Sequence, residues 1–435
     1  MDNRQEMRNK ATAYRKQNDF QQALPIYQNL WEEKPEERDK WDGWGYAYCL
    51  QKTKQYVEGL KICREVIPID PEFEYIRSVY AWCLYYVGVN KGDEEISEHE
   101  QNFWKAANEI VALVKQEKYS TYESTVMQVV DYLRKKPNYP AQTILEWLDK
   151  VDTDKLSTVI GSGKDGDGKV IEYASNREKW FVERCKAFFK LERYADCLDI
   201  GERTLKEFPN IHYGNDIWTK YHTAMSKGYL GDKVQAVAEL QEILKRKHDW
   251  FIQRDVAIFL LDMGRMDEAL PYALEAACAP VDIGFKWKAI YHLAKVLQAT
   301  GRTDDAKKHV LLVARFHQEK GLKIGANLSN SIGSYKITLV NAPSSQVIYS
   351  ELRKTWDELR FAGKTQVQGR VKKLIGEGKS GFIVGDEGKE YHFVSREFRG
   401  SKGILKEEMR VTFYVEKNPE AGRKDNAISI CAMTT

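Results

Sequence analysis

A glycine-rich stretch at residues 161–170, GSGKDGDGKV, has a spacing that could bind a phosphate or a metal ion. It fits the G-x-x-x-x-G-K pattern of a phosphate-binding loop, but Val170 stands where a Ser or Thr would hold magnesium, and no apolar strand precedes it. Asp165 and Asp167 are spaced like calcium ligands, yet Val170 replaces the glycine that turns a calcium loop and no Glu follows at the twelfth position. We therefore interpret this stretch as a flexible, solvated loop.

No other combination of residues predicts catalysis. The eight histidines show no H-E-x-x-H spacing, and the seven cysteines include no C-x-x-C pair, so we expect buried thiols rather than zinc ligands or disulfides. Carboxylates occur throughout the helical patterns, where surface acids are ordinary. The sequence predicts no catalytic residue, no metal and no cofactor, and hence a protein that is not an enzyme.

The strongest candidate for binding chemistry is the C-terminal stretch GRVKKLIGEGKSGFIVGDEGKEYHFVS, residues 369–395. Aromatic rings can stack on unpaired bases, and cationic side chains can contact phosphates. From residue 365 onward the chain has 13 Lys+Arg and 10 Asp+Glu, so 13 − 10 = +3, which equals the formal charge of the whole chain. The candidate nucleic-acid-binding residues are Lys372, Lys373, Lys379, Phe382, Tyr391, Phe393 and Arg396.

Alternation along the strands predicts which of these side chains face a ligand. We expect Ile383 and Val394 to point inward, which would turn Phe382 and Phe393 outward. The alternative is that both rings fill the barrel interior or pack on the amphipathic helix at residues 346–361.

The elements that must position these residues are short strands. Five segments of alternating polarity are separated by glycine-rich turns or a longer loop, and five strands in about 70 residues predict a small closed all-β barrel. The segments are VQGRVKKLI, SGFIV, KEYHFV, MRVTFYVEK and ISICAM.

The order of glycines and strands from Gly369 to about Ile430 resembles a cold-shock domain, which has an oligonucleotide-binding (OB) fold. In that family the first three strands read G-x-V-K-W-F, K-G-F-G-F-I and V-F-V-H, and outward aromatic residues stack on bases. The matching positions here are Gly369, Val371, Lys372, Gly381, Phe382, Ile383, Phe393 and Val394. The resemblance implies binding of single-stranded RNA or DNA.

Four departures from the family pattern imply weaker binding. Lys373, Leu374, Ser380 and Ser395 stand where the family has Trp, Phe, Phe and His. Each lost stacking platform removes roughly 1–3 kcal/mol per base. The rival interpretation is therefore a pure protein scaffold whose barrel no longer binds nucleic acid.

The first 320 residues contain a repeat. NDFQQALPIYQNLWEEKP has its small, aromatic and proline residues at the offsets found again in KQYVEGLKICREVIPIDP, 36 residues later, and in ERYADCLDIGERTLKEFP. Looser copies surround Ala236, Ala269 and Ala306. A small residue lets two helices approach, an aromatic residue fills the next groove, and proline ends the helix.

This recurrence resembles the tetratricopeptide repeat (TPR) family, whose period is about 34 residues. The resemblance implies a mainly α fold, a TPR-like α-solenoid, with a concave face that binds a protein partner or peptide. The candidate protein-binding residues on the first helix of each pair are Tyr14, Trp44, Trp82, Tyr221 and Tyr291. Core packing is the alternative for each of them.

We predict three segments: a TPR-like helical array at 1–320, a linker with an amphipathic helix at 321–364, and the barrel at 365–435. The repeat register is irregular at 72–180, where two further helix pairs are expected. No apolar run is long enough to cross a bilayer and no secretion signal is evident, so a cytoplasmic protein is expected. Proteins that resemble this arrangement occur as accessory components of bacterial conflict or antiviral operons, so the resemblance implies a role in antiviral defence.

Overall fold

The computed structural model describes residues 3–164, 166–376, 378–399, 405–418 and 422–433, except for the side chains of Asn3 and Arg396. Contacts divide the chain into two compact units, Met1–Gly231 and Asp232–Thr435. Within the described ranges, no helix combines the length and the apolar character that a membrane span requires.

The helices of the first unit pack as successive hairpins. The repeated motifs begin the second helix of a pair, at Phe20, Tyr56 and Tyr194, as the sequence predicted. Its helices are α1 (Asn3–Lys16), α2 (Phe20–Glu32), α3 (Lys40–Lys52), α4 (Tyr56–Val66), α5 (Glu74–Leu84), α6 (Asp93–Glu98), α7 (Glu100–Leu113), α8 (Tyr122–Lys135), α9 (Ala141–Leu148), α10 (Asn176–Lys190), α11 (Tyr194–Glu207) and α12 (Asn215–Tyr229).

Glycine on a first helix makes room for the aromatic residue of the repeat. The Tyr27 ring of α2 lies so close to α3 that a Cβ at Gly45 would be 2.4 Å from ring atom Cε1. Ala23, one turn before Tyr27, has no exposed surface. The small-then-aromatic order of the repeat therefore sets the close approach of neighbouring helices.

The stretch predicted to be a flexible loop is partly a β-hairpin. Strand β1 (Gly161–Lys164) pairs antiparallel with β2 (Val170–Tyr173). The Tyr173 ring covers the first strand, where a Cβ at Gly163 would be 2.7 Å from the Tyr173 hydroxyl. The glycines thus serve close packing in a hairpin, while Asp165 lies outside the described residues.

The helices of the second unit also pack as hairpins, and the barrel follows them. Its helices are α13 (Lys233–Arg246), α14 (Trp250–Asp262), α15 (Met266–Cys278), α16 (Ile283–Ala299), α17 (Thr303–Glu319), α18 (Ala326–Ser334) and α19 (Ser345–Arg360). Helix α18 lies in a segment that the sequence predicted as linker; its apolar signal is weak because its one buried side chain is Leu328.

Helix α19 packs on α15 and α17 through a stripe at helical spacing. Ile348, Leu352 and Trp356 are buried, and the Trp356 indole N–H donates a hydrogen bond to His309 Nε2 at 2.6 Å. His309 Nδ1 lies 2.6 Å from the Asp305 carbonyl, so Nδ1 carries the proton and Nε2 accepts. Burial lowers the pKa of His309 to about 4, which keeps this ring neutral at pH 7.

The C-terminal strands close into a barrel in the order β3-β4-β5-β7-β6. Each overlaps one of the five predicted segments, and the interior is apolar. The strands are β3 (Val367–Ile375), β4 (Ser380–Gly385), β5 (Glu390–Val394), β6 (Arg410–Glu416) and β7 (Asn426–Ala432). The predicted fold class, a TPR-like α-solenoid followed by a small closed β-barrel, is confirmed.

The barrel is fastened to α19 by an ion pair and a ring stack. The Arg399 guanidinium donates to both carboxylate oxygens of Asp357, at 2.7 and 3.0 Å. The rings of Phe361 and Tyr414 stack with centroids 4.1 Å apart and planes at 13°. Both contacts are partly buried, so they hold one side of the barrel against the helix.

Candidate nucleic-acid interface

The strand order and the parallel pairing of β5 with β7 are compatible with the five-stranded barrel of OB folds. In OB folds the outer face of the second and third strands, with the adjoining loops, receives oligonucleotides. Those strands are β4 and β5 here. The candidate site is therefore defined by which of their side chains point out of the barrel.

Phe382 and His392 form an aromatic pair on this outer face. They are directly opposite each other in the β4–β5 register, and their rings lie 5.6 Å apart at 64°. The Lys424 ammonium, from the segment before β7, lies 4.7 Å from the centroid of the Phe382 ring. Nδ1 of His392 is 3.4 Å from Asn426 Oδ1. Phe382 thus takes the outward position predicted for it, whereas the sequence analysis missed His392 and Lys424.

The prediction that Phe393 faces outward is wrong. Phe393 is 1% exposed and lies in the barrel core with Ile383, while Val394 turns outward. Gly381 is opposite Phe393, and a Cβ at this glycine would be 2.7 Å from the Phe393 ring. The absence of a side chain at position 381 thus creates the space that the ring fills.

Tyr391 also faces inward, two residues before Phe393 on the same strand. It is 5% exposed, and its ring meets Phe413 edge-on at 5.1 Å. Its hydroxyl donates to Glu387 Oε1 at 2.5 Å, and burial raises the pKa of Tyr391 to about 12. The alternative that the rings fill the barrel therefore holds for Phe393 but not for Phe382, and the prediction that Tyr391 contacts nucleic acid is wrong.

A β-bulge places two consecutive lysines on the same side of β3. The register with β4 shifts between Val371 and Lys373, so Lys372 is the extra residue. Lys372 and Lys373 are both exposed for this reason, although strict alternation would bury one of them. Lys373 is the β3 partner of Phe382.

Lys379 adds a cation in the turn before β4. Its side chain is exposed, and within the described residues neither Lys373 nor Lys379 has a carboxylate oxygen within 4.0 Å. The side chain of Arg396, another predicted contact, lies outside the described residues.

Glu390 is an acidic residue that pairs with two of these lysines. Its carboxylate pairs with the ammonium groups of both Lys372 and Lys424. Hydrogen bonds from Lys372 and then Lys424 lower the pKa of Glu390 to about 2, so its charge persists at ordinary pH. Lys424 and Lys373 thus lie beside Phe382, and Glu390 bridges Lys424 to Lys372.

The residues predicted to bind a protein partner differ in exposure. Tyr14, Trp44 and Trp82 are partly exposed, whereas Tyr221 and Tyr291 are each 8% exposed. The hydroxyl of Tyr291 donates to the Asn327 carbonyl of α18 at 2.9 Å. Because Tyr221 and Tyr291 offer little free surface, the alternative of core packing describes them better.

Trp44 belongs to a larger aromatic group on the first unit. The Arg15 guanidinium lies 4.4 Å from its ring centroid, and Trp41 meets it edge-on at 5.8 Å. Trp41 and Tyr75 are 47% and 57% exposed, and the sequence analysis missed both. Trp41 could have been found because it precedes Trp44 by three residues and so shares its helix face.

Trp82 and Tyr14 lie elsewhere on the same unit. The Trp82 indole N–H donates to the Tyr119 carbonyl at 3.1 Å, and Tyr14 packs against the core.

Within the described ranges, no group of three His, Cys, Asp or Glu side chains is arranged to hold a metal ion.

Comparison with known proteins supports the repeats. Residues 14–83 match the Tetratricopeptide repeat family model. Among solved structures, a tetratricopeptide repeat protein from Parabacteroides merdae shares 11% identity, with coverage of 77% of this chain and 99% of that chain and a TM-score of 0.28. The human IFIT1 dimer with m7Gppp-AAAA shares 13% identity, with coverage of 75% and 70% and a TM-score of 0.35. TM-scores this low support no inference about function. No curated protein matches the chain.

Proposed function

We propose that the protein is a non-enzymatic adaptor that binds a protein partner through its TPR-like repeats and single-stranded RNA or DNA through its barrel. The observation that carries the nucleic-acid half is the outward Phe382–His392 pair on the second and third strands of an OB-type barrel, with Lys424 over the Phe382 ring and Lys373 opposite Phe382. The repeat half is supported by the family match at residues 14–83. The cold-shock character and a role in antiviral defence belong to the same proposal.

Binding would begin with an exchange of contacts at Phe382. A base stacks on the Phe382 ring and displaces the Lys424 ammonium from its face. Each stacked base contributes roughly 1–3 kcal/mol. His392 supplies a second, smaller ring at 64° to the first, so the two rings fit bases that are splayed apart.

The lysines would contact phosphates. Lys373 and Lys379 can pair with the backbone at once, since no carboxylate holds them within the described residues. Lys372 and Lys424 must first leave Glu390. With two to four phosphates neutralised, the logarithm of the association constant should fall with log salt at a slope of about −1.5 to −3, at roughly 0.7 per contact.

The test is a titration of the full chain with fluorescent oligonucleotides of one sequence, single-stranded and duplex, at several salt concentrations. We expect the single strand to bind more tightly because only unpaired bases offer their faces. RNA and DNA versions distinguish the two substrates. A folded protein that binds neither strand at low salt would contradict the nucleic-acid half.

The second candidate function is a protein scaffold whose barrel does not bind nucleic acid. The observation that favours it is that Lys424 already covers one face of Phe382 and that Glu390 bridges two of the lysines. Under this alternative, no oligonucleotide should bind to the barrel. Binding of a protein partner to the barrel should then depend on salt only as weakly as ordinary surface ion pairs do.

The protein-binding half is tested by capture of partners from a native extract, without and with nuclease. Replacing Trp41 and Tyr75 by alanine removes exposed rings while leaving the barrel unchanged. We expect loss of nuclease-resistant partners in this variant with oligonucleotide binding intact. Full retention of the same partners would show that these rings do not bind them.

A further inference from the structure

A second basic surface lies on the helices of the second unit, beside α16. A cleft of about 500 Å³ opens between this helix, α17 and the start of α18. The side chains that give the cleft its chemistry are Trp287, Lys288, His292, Lys295, His317 and Lys323. It is separate from the β4–β5 face, because none of its lining residues belongs to the barrel.

The lining is cationic. No Asp or Glu lines the cleft, and among the described residues Lys288, Lys295 and Lys323 have no carboxylate oxygen within 4.0 Å. Burial, and then the charges of Lys295 and Arg254, lower the pKa of His292 to about 4. An anion that entered the cleft would therefore meet uncompensated positive charge.

The backbone adds donors to the same cleft. Residues 325–328 line it, and they form the N-terminus of α18, where Gly325 provides no side-chain cap. The first hydrogen bond within the helix runs from the Ser329 N–H to the Gly325 carbonyl at 3.0 Å. The three intervening N–H groups have no acceptor within the helix, an arrangement that suits an anion.

One buried side chain reaches the cleft with a free nitrogen. His317 is 4% exposed, and its Nδ1 lies 2.9 Å from the Val313 carbonyl, so Nδ1 carries the proton. Within the described residues, the hydrogen bond of this ring is made at Nδ1, and none is made at Nε2. An Nε2 that carries no proton is an acceptor, and the P–OH of a singly protonated phosphate is a donor that would match it.

The position of α18 over the cleft is fixed by Tyr291. Its hydroxyl donates to the Asn327 carbonyl at 2.9 Å and lies 2.8 Å from Ser331 Oγ. Trp287 forms an apolar wall, and its indole meets the His317 ring at 4.7 Å and 88°. The cationic side chains, the helix N-terminus and this wall therefore belong to one ordered site.

We propose that this cleft binds a phosphomonoester, with Lys288, Lys295 and Lys323 and the α18 amides holding the phosphate and Trp287 contacting the organic part. The phosphate can belong to a free nucleotide or to the terminus of an oligonucleotide. Both sources offer the same dianionic or monoanionic group, and the experiment separates them.

The experiment measures binding of inorganic phosphate, adenosine monophosphate, and one oligothymidine with either a 5′-phosphate or a 5′-hydroxyl to the full chain. The test variant is Lys295→Ala with Lys323→Ala. The control is Lys307→Ala with Lys308→Ala, which removes the same charge from exposed positions on α17 outside the cleft lining. Because all four lysines are exposed, neither variant should impair folding.

We expect the test variant to weaken binding of the phosphomonoester by about tenfold or more, since each lost contact is a charge-assisted hydrogen bond. The control should bind like the unmodified chain. Binding of adenosine monophosphate assigns the site to free nucleotides, while a preference for only the 5′-phosphorylated oligonucleotide assigns it to strand termini. Two outcomes would overturn the proposal. In the first, the 5′-phosphate and 5′-hydroxyl strands bind equally well and neither inorganic phosphate nor adenosine monophosphate binds. In the second, the test and control variants lose the same amount of binding.

Discussion

The inner and outer faces of β4 and β5 carry aromatic residues of opposite roles. Inside, Tyr391 and Phe393 are nearly inaccessible and pack with the barrel core. Outside, Phe382 and His392 pair with each other and with Lys424. Adjacent aromatic residues on a strand, such as His392 and Phe393, therefore serve different purposes. An error of one residue in predicting which side chains point inward would confuse a residue that stabilises the barrel with one that could bind a ligand.

The largest expected effect is on the inner face. Phe393→Ala leaves a cavity opposite Gly381, and the barrel should lose about 3–5 kcal/mol of unfolding free energy. Hydrogen exchange of the barrel strands measures this loss, and any loss of oligonucleotide binding should follow it. Unchanged exchange protection together with lost binding would mean that Phe393 contacts the ligand after all.

The next effect concerns the helix that carries the barrel, and it depends on pH. The pKa of His309 is about 4 in the folded chain and about 6.5 when unfolded. Between these values the unfolded state binds more protons, so stability falls as pH drops from about 6.5 to about 4, by at most roughly 3 kcal/mol. Hydrogen exchange of α19 across this range should show the fall.

His309→Leu provides the matched variant for that measurement. It leaves the Trp356 indole N–H without an acceptor, which should cost about 1–3 kcal/mol at pH 7. Its α19 should then show less pH dependence than the unmodified chain between pH 6.5 and 4. An identical pH profile in both proteins would assign the acid sensitivity to another group, such as His292, whose pKa is also about 4.

A smaller effect is expected from the outer lysines. Lys373→Ala with Lys379→Ala removes two cations that no carboxylate holds within the described residues. The salt slope for single-strand binding should become shallower by about 1.4, at roughly 0.7 per contact. The control variant, Lys307→Ala with Lys308→Ala, removes two lysines from helix α17 instead of the barrel. It should leave the salt slope of single-strand binding unchanged.

The smallest effect is expected at Glu390. Glu390→Gln frees Lys372 and Lys424, so single strands should bind a few-fold more tightly and with a steeper salt slope, since exposed ion pairs are weak and easily exchanged. Weaker binding in this variant would show that Glu390 positions the two lysines rather than occupying them.

The repeat helices and the barrel strands could be predicted from the sequence because their periods are strong. The repeated small and aromatic residues located the second helices at Phe20, Tyr56 and Tyr194, and alternating polarity located all five barrel strands. Helix α18 was missed because Leu328 is its one buried residue, which leaves no stripe to detect.

The sequence could not predict which side chains of β5 point into the barrel. Tyr391, Phe393 and Val394 are all apolar, so the alternation among them is ambiguous. The pairing of Gly381 with Phe393 resolves it, but that register appears only in three dimensions. The bulge at Lys372 was hidden for the same reason, since it depends on how β3 pairs with β4. Lys424 approaches Phe382 from a distant segment, so spacing gave no signal for it.

The most direct test of the nucleic-acid proposal compares two substitutions on the outer face of β4 in the full chain. Phe382→Ala removes the stacking ring, whereas Val384→Ala removes an apolar side chain two residues away on the same face. We predict that Phe382→Ala weakens binding of a single-stranded oligonucleotide by about 1–3 kcal/mol while Val384→Ala leaves it nearly unchanged, both with unaltered circular dichroism. Equal affinity of the two folded variants and the unmodified chain would contradict the proposal that Phe382 stacks on bases.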